Sequence, residues 1–233
     1  GLELARASGD ARAEALILVG RGFSLGPATR AMARDALAVA DRAGDVVMQL
    51  VAGLPCTGPF GVADLRERLA LLDRLIALAN GDVRLGAEFG GYSPLLMLHT
   101  QRIPTLAQLG RLREAEAARE RTRALLERSP DPLVESLFHT LTVLLAGALG
   151  DDDRALREAR RGAELAERFG FENLQRTAQG LVLNALVSCG DYEAAQQILA
   201  GLRARGEAGV FATISEARLH LGLGDTGRAV TEA

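Results

Sequence analysis

A glycine that precedes a polar turn, with an alanine five residues further on, recurs along this chain and restricts the folds open to it. From Gly110 onwards the intervals between these glycines are 40, 40 and 34 residues. A period in this range is typical of helical repeat arrays, in which each repeat packs mainly against its neighbours. The pattern therefore predicts a repeat protein. The recurring pairs are Gly26/Ala31, Gly110/Ala115, Gly150/Ala155, Gly190/Ala195 and Gly224/Ala229.

A second recurring phrase consists of an aliphatic residue, an alanine, three further residues and a glycine. A glycine just past a helix adopts the left-handed conformation that satisfies the last carbonyls. An aspartate follows the first three of these glycines, where its carboxylate can cap the next helix. Two alternating phrases in each repeat predict two helices in each repeat, here called A and B. The phrases are Leu4 to Gly9, Val39 to Gly44, Ile76 to Gly81 and Leu165 to Gly170.

These stop and start signals predict the position of every helix. Residues 54–61 contain two prolines and two glycines, which predicts a loop. Pro104 should kink the helix that contains it, because it removes one backbone hydrogen bond. The predicted helices are the end of a B helix at 1–8, A1 at 11–24, B1 at 28–43, A2 at 46–54, B2 at 62–79, a short helix at 83–89, A3 at 94–109, B3 at 112–128, A4 at 132–149, B4 at 152–168, A5 at 172–189, B5 at 192–205, A6 at 208–222 and B6 from about 226.

The composition agrees with an all-α protein. Hydrophobic residues make up 48% of the chain, aromatic residues only 4%, and tryptophan is absent. Such a core is built from small and aliphatic side chains, which allow helices to approach closely. Alternating β-branched runs, the usual sign of a sheet, are missing. We therefore expect one all-α domain over residues 1–233, built from about six antiparallel helix pairs.

The net charge of the chain and the segments it lacks limit its expected partners and its expected location in the cell. The net charge is −3, so neither nucleic acid nor an anionic membrane is an expected partner. No run of 18 apolar residues and no signal peptide are present, which favours a cytoplasmic location. The widely separated Cys56 and Cys189 are expected to be idle thiols. Because the chain begins without methionine and stops inside a predicted helix, we expect a part of a longer protein.

The sequence motifs do not indicate catalysis in this segment. Residues 222–227 fit GxGxxG, but a helix and not a strand is predicted before them, so a repeat turn is favoured over a nucleotide site. The run of aspartates at 151–153 lies where a helix N-terminus favours negative charge. There is no GxSxG or HExxH motif, and no lysine for a Walker A motif. We expect no enzyme activity here, no metal and no cofactor.

Three polar residues occupy equivalent places in successive A helices. His99, His139 and Gln179 each lie eleven residues before a repeat glycine, and Thr213 is the next in the series. Two interpretations are open for this polar ladder. It could line a groove and bind a ligand, or it could consist of half-buried groups that pack between helices. Two histidines 40 residues apart make a poor metal site.

The phrase Gly190-Asp191-Tyr192-Glu193-Ala194-Ala195 resembles a tetratricopeptide repeat, abbreviated TPR. The segments 81–86 and 91–94, with Gly110-Arg111 and residues 165–167, resemble the C-terminal repeat region of bacterial multidomain regulators. Those proteins join a class III adenylate or guanylate cyclase domain to an AAA-type ATPase and a helical array, and large LuxR-type transcription regulators carry related arrays. The resemblance implies a TPR-like right-handed superhelix, an α-solenoid with A helices on the concave side.

This resemblance also implies a function. It predicts a non-catalytic protein-interaction and regulatory module of a bacterial signalling protein, whose parent could have adenylate cyclase activity. The partner would be another protein or other domains of the same chain. An alternative is a small-molecule effector-sensing domain with a ligand pocket in the concave face. The residues expected to contact the partner are Thr100, Thr140, Thr177, Asn184 and Tyr92, with Phe89 beside Tyr92 on the rim.

Overall fold

The computed structural model describes residues 1–22, 27–58, 64–206, 210–225 and 227. All regular secondary structure in these ranges is helical, and none of them contains a strand. The predicted all-α class is therefore confirmed. The chain divides into two compact units, here called unit 1, Gly1–Asp131, and unit 2, Pro132–Ala233.

Unit 1 consists of consecutive helices that pack against their neighbours in sequence. Each of its α-helices contacts the next, apart from a short single-turn helix that lies between the fifth and the sixth. The second, fourth and sixth helices also contact one another in succession, as expected for A helices of adjacent repeats. The helices are α1 Leu2–Ser8, α2 Ala11–Gly22, α3 Pro27–Ala43, α4 Val46–Thr57, α5 Leu65–Ala79, the 3₁₀ turn Ala87–Phe89, α6 Pro94–Gln108 and α7 Leu112–Arg128.

Unit 2 repeats this arrangement around a central helix. Its helices are α8 Pro132–Ala148, α9 Asp152–Arg168, α10 Glu172–Ser188, α11 Tyr192–Ala204 and α12 Val210–Gly222. The central helix α10 contacts α8, α9, α11 and α12. The short connections between consecutive helices mean that these run antiparallel. The predicted bounds of B3 and B4 coincide with those of α7 and α9.

Two predicted boundaries need correction, and some other predicted segments lie outside the described residues. Helix α4 continues through Pro55 to Thr57, so the loop predicted from residue 54 is wrong over 54–57. The helix continues past the proline because its last turn is buried and held by a hydrogen bond. The Thr57 hydroxyl donates to the Gly53 carbonyl at 3.2 Å. The helix predicted at 83–89 is only one 3₁₀ turn, Ala87–Phe89. Residues 59–61, the first two residues of A6 and the body of B6 lie outside the described residues.

The turn glycines perform the role that the sequence predicts. Gly150 and Gly190 have φ values of 71° and 76°. After Gly150, the Asp151 N–H donates to the Ala146 carbonyl at 3.0 Å, and the Asp151 carboxylate accepts from the Arg154 N–H. The same residue series therefore ends one helix and starts the next. A bend of α6 at Pro104, which lies inside that helix, stays a prediction.

Small residues bring two helices of unit 2 very close together. On α9, Ala155, Ala159 and Ala166 are buried. The backbone of Gly162 lies against α8, because the Ser136 hydroxyl donates to the Gly162 carbonyl at 2.9 Å. A Cβ at Gly162 would lie 3.0 Å from the Thr140 backbone nitrogen. The seam between α8 and α9 therefore depends on the absence of a side chain at one position.

Candidate functional site

In unit 2 the polar ladder connects the A helices α8 and α10 to the B helix that follows each of them. His139 Nδ1 on α8 lies 2.6 Å from Glu158 Oε2 on α9. Gln179 Oε1 on α10 accepts from Arg205 Nη2, directly after α11, at 2.8 Å. Both ladder residues are half-buried. Of the two interpretations open from the sequence, this geometry matches packing between helices.

His99, the ladder residue of unit 1, lies on α6 near two arginines. Burial, together with the positive charges of Arg102 and Arg121, lowers the pKa of His99 from 6.5 to about 4. The side chain is therefore neutral in the folded protein at neutral pH. In this state His99 is a half-buried polar group and does not supply a positive charge to a partner.

Acid should destabilise the protein through His99. Between about pH 6.5 and pH 4 the unfolded chain binds a proton that the folded chain does not, so stability falls as the pH falls through this window. We expect the His99→Gln variant to lose about 2 kcal/mol less than the parent chain between about pH 7 and about pH 4.5. Urea unfolding at both pH values measures this difference, and equal losses would contradict it.

Two residues predicted to contact a partner are not accessible. Thr100 and Thr140 are both 0% exposed. Their hydroxyls donate to carbonyls of their own helices, Thr100 to Leu96 at 2.9 Å and Thr140 to Ser136 at 2.8 Å. The prediction that they face an open groove is wrong, because the position ten residues before the turn glycine is a seam position. The sequence pattern fixes the position of each residue along the helix, but not which side of the helix faces its neighbour.

The other predicted contacts lie nearer the surface. The Thr177 hydroxyl donates to the Asn173 carbonyl at 3.1 Å. Asn184 Oδ1 accepts from Arg218 Nη1 on α12, and the same guanidinium donates through Nη2 to Ser188 Oγ at 3.0 Å. Asn184 therefore contributes to the contact between α10 and α12. A role of Thr177 or Asn184 in partner binding stays a prediction.

Tyr92 lies on the wall of a cleft in unit 1, here called the unit 1 cleft. Its volume is about 390 Å³, within the range of small-molecule sites. The walls come from α2, α4, the segment 86–92 and the start of α6. The sequence predicted Phe89 and Tyr92 at the rim of a binding surface but did not predict the helical walls. The described lining residues are Leu16, Val19, Gly20, Val51, Leu54, Gly86, Phe89, Gly90, Tyr92 and Pro94.

Hydrogen bonds fix the segment that closes this cleft. The Ser93 N–H donates to Asp131 Oδ2 at 2.8 Å, and the Ser93 hydroxyl accepts from the Leu96 N–H at the start of α6. Burial, with the nearby Asp131 charge, raises the pKa of Tyr92, so its phenol stays protonated and can donate a hydrogen bond.

A cation lies beside the same segment. The Arg12 guanidinium is 5.1 Å from the centre of the Phe89 ring. Arg12 Nε also lies 3.9 Å from Asp45 Oδ2, and both side chains are accessible to solvent. This contact connects the 3₁₀ turn to the first turn of α2. It helps to hold Phe89 in place as a wall of the unit 1 cleft.

Unit 2 presents an apolar surface on α12, here called the α12 face and consisting of Ile214 and Leu221. Ile214 lies ten residues before Gly224, which makes it equivalent to Thr100 and Thr140. Those two positions are fully buried, whereas Ile214 is 54% exposed and Leu221 is 56% exposed. On α8 the equivalent residue is covered by α9, since a Cβ on Gly162 would lie 2.6 Å from Thr140 Oγ1. Among the described residues, no helix covers the α12 face in the way that α9 covers Thr140.

The remaining sequence candidates behave as structural groups. Cys56 is buried, which raises its pKa to about 11. The pKa of the exposed Cys189 is raised by partial desolvation and by the nearby carboxylates of Asp152, Asp153 and Asp191. Both thiols are free. At the predicted GxGxxG sequence, the space beside Gly222 is filled by the Tyr192 ring, within 2.6 Å of where a Cβ would lie; Thr226 lies outside the description. Within the described ranges no group of three potential metal ligands occurs.

The comparisons with known proteins leave the family unassigned. No protein-family model matches this chain, and no curated protein matches it. Among the described helices, none combines the length and the apolar character needed to cross a membrane.

Proposed function

We propose that this chain is a non-catalytic protein-interaction module that regulates a bacterial signalling protein, and that it docks a helix on the α12 face. The exposure of Ile214, at a position buried in equivalent helices, is the observation that carries this proposal. An apolar seam surface of this kind is stabilised when a helix covers it. The docking helix would belong to a partner protein or to another domain of the same chain.

The seam between α8 and α9 suggests the chemistry of the docking helix. There Gly162, on the covering helix α9, leaves room for Thr140 on α8. Ile214 is larger than Thr140, so a helix covering it also needs a small residue opposite. We therefore expect an amphipathic helix with glycine or alanine in its central turn. The resemblance to cyclase and LuxR-type regulators supports placing this contact in signal transduction.

A peptide of residues 151–169, which contains the α9 sequence, provides a direct probe of this docking. We expect the fluorescently labelled peptide to bind the protein, and Ile214→Arg to weaken binding by about tenfold or more. Leu149→Arg serves as the control, since Leu149 is another exposed apolar residue of unit 2. A peptide carrying Gly162→Leu should bind poorly. Fluorescence anisotropy that shows equal binding to all three proteins would contradict helix docking on the α12 face.

The unit 1 cleft favours a second function, the sensing of a small-molecule effector. The sequence predicted a ligand pocket near the polar ladder, but His99 is absent from the described lining of the cleft. The walls instead come chiefly from apolar residues of α2 and α4. Because the cleft and the α12 face belong to different units, the two functions can be tested separately.

A further inference from the structure

Most of the walls of the unit 1 cleft belong to helices that pack against one another. Val19, Val51 and Leu54 are buried at their positions on α2 and α4. The two helices contact each other directly, and α4 also contacts α6, where Pro94 contributes to the wall. A site held by packed helices keeps its shape without a ligand, so little of the binding free energy is lost in ordering it.

The chemistry of the lining favours an uncharged ligand. Among the described lining residues none carries a charge, and the Tyr92 hydroxyl is the single polar side-chain group. Moving a charged group into such surroundings without a partner is costly. A neutral apolar ligand loses no such free energy, and one hydrogen-bonding group on it would suit the Tyr92 hydroxyl.

Backbone at glycine positions shapes the remaining wall. A Cβ on Gly86 would lie 3.3 Å from Val51 Cγ2 and 3.3 Å from Pro94 Cγ, so this backbone lies directly against α4 and α6. A Cβ on Gly90 would lie 2.5 Å from Tyr92 Cε1, so the phenol ring packs directly against the Gly90 position. This packing, with the Ser93–Asp131 hydrogen bond, holds the ring at the cleft.

We propose that the unit 1 cleft binds an uncharged, mainly apolar small molecule, with its one hydrogen-bonding group directed at the Tyr92 hydroxyl. This inference rests on the effector-sensing function above and is independent of helix docking on the α12 face. Leu16, Val19, Val51 and Leu54 would supply the apolar contacts. Tyr92 would select among ligands of similar size by requiring a hydrogen-bonding partner.

A neutral fluorescent probe, N-phenyl-1-naphthylamine, tests whether the cleft binds apolar molecules. Gly20→Phe should block it, because Gly20 lines the cleft and no described atom lies within 4 Å of the position of its Cβ. The matched control is Gly147→Phe, at a helical glycine of unit 2 whose Cβ position is equally open. We expect saturable binding to the parent chain and to Gly147→Phe, and binding weaker by about tenfold or more to Gly20→Phe. Absent binding, or equal binding to all three, would overturn the proposal.

The role of Tyr92 is tested with naphthalene and 1-naphthol, which differ by one hydroxyl group. Isothermal titration should show that Tyr92→Phe weakens 1-naphthol binding by about fivefold and leaves naphthalene binding unchanged. Equal losses for both ligands would overturn the hydrogen bond. Loss of binding of the 151–169 peptide in Gly20→Phe would assign the cleft to a protein partner and overturn the small-molecule proposal. If Ile214→Arg binds the 151–169 peptide as tightly as the parent chain does, only the proposed docking function is contradicted.

Discussion

Replacing Gly162 with leucine should destabilise the protein by about 3 kcal/mol. The new Cβ would lie 2.6 Å from Thr140 Oγ1, 3.0 Å from the Thr140 backbone nitrogen and 3.2 Å from the Ser136 carbonyl oxygen. Two of these atoms belong to the backbone of α8 and cannot move away independently. The helices must separate, and the hydrogen bond from the Ser136 hydroxyl to the Gly162 carbonyl would be lost. Overpacking of this kind typically costs about 1–3 kcal/mol.

Gly147→Leu is the matched control for this change. Gly147 lies on α8, in the same unit, and no described atom lies within 4 Å of the position of its Cβ. Because leucine favours helix more than glycine does, we expect this variant to be as stable as the parent chain or more stable by up to about 1 kcal/mol. Urea unfolding of the three proteins measures the difference. Equal midpoints for Gly162→Leu and Gly147→Leu would show that the close approach of α8 and α9 is unimportant.

Replacing Ala159 with aspartate should cost more than about 2 kcal/mol at neutral pH. Ala159 is 0% exposed and belongs to the core that α9 shares with α10. A carboxylate there would lose its hydration in a seam built for a methyl group, and it would either carry an unpaired charge or bind a proton.

Ala200→Asp controls for the effect of aspartate in a helix. Ala200 is an exposed residue in the middle of α11, also in unit 2. Beyond the effect of helix propensity, Ala200→Asp should change the unfolding free energy by less than about 0.5 kcal/mol. If the two aspartate variants unfold at the same denaturant concentration, the buried alanines of α9 do not form a tight seam.

The helices were predictable because their ends are encoded locally. Asp45 and Asp151 cap the helices that the sequence assigned to them, and the left-handed glycines end the preceding ones. The loop predicted at Pro55 was wrong, because burial of the last turn of α4 outweighs the preference of proline to break a helix. Tertiary packing decides such cases, and this packing cannot be predicted from the local sequence alone.

The candidate sites were less predictable than the helices. Tyr92 and Phe89 were expected near a binding surface, and both line the unit 1 cleft. Thr100 and Thr140 were expected to be accessible and are buried, because the spacing from a turn glycine does not reveal which face of an A helix meets the B helix. Leu16 with Val19, and Val51 with Leu54, are apolar pairs three residues apart, which was the available signal for the cleft walls.

Hydrogen exchange of the parent chain and of Gly162→Leu tests most directly whether each helix is stabilised by its immediate neighbours. Because α9 contacts α8 and α10, we expect amide protection to fall most in these three helices. The helices α2 to α5 of unit 1 should keep the protection they have in the parent chain. A loss of the same size in α2 to α5 as in α8 to α10, or a loss confined to α9 alone, would contradict stabilisation by neighbouring helices.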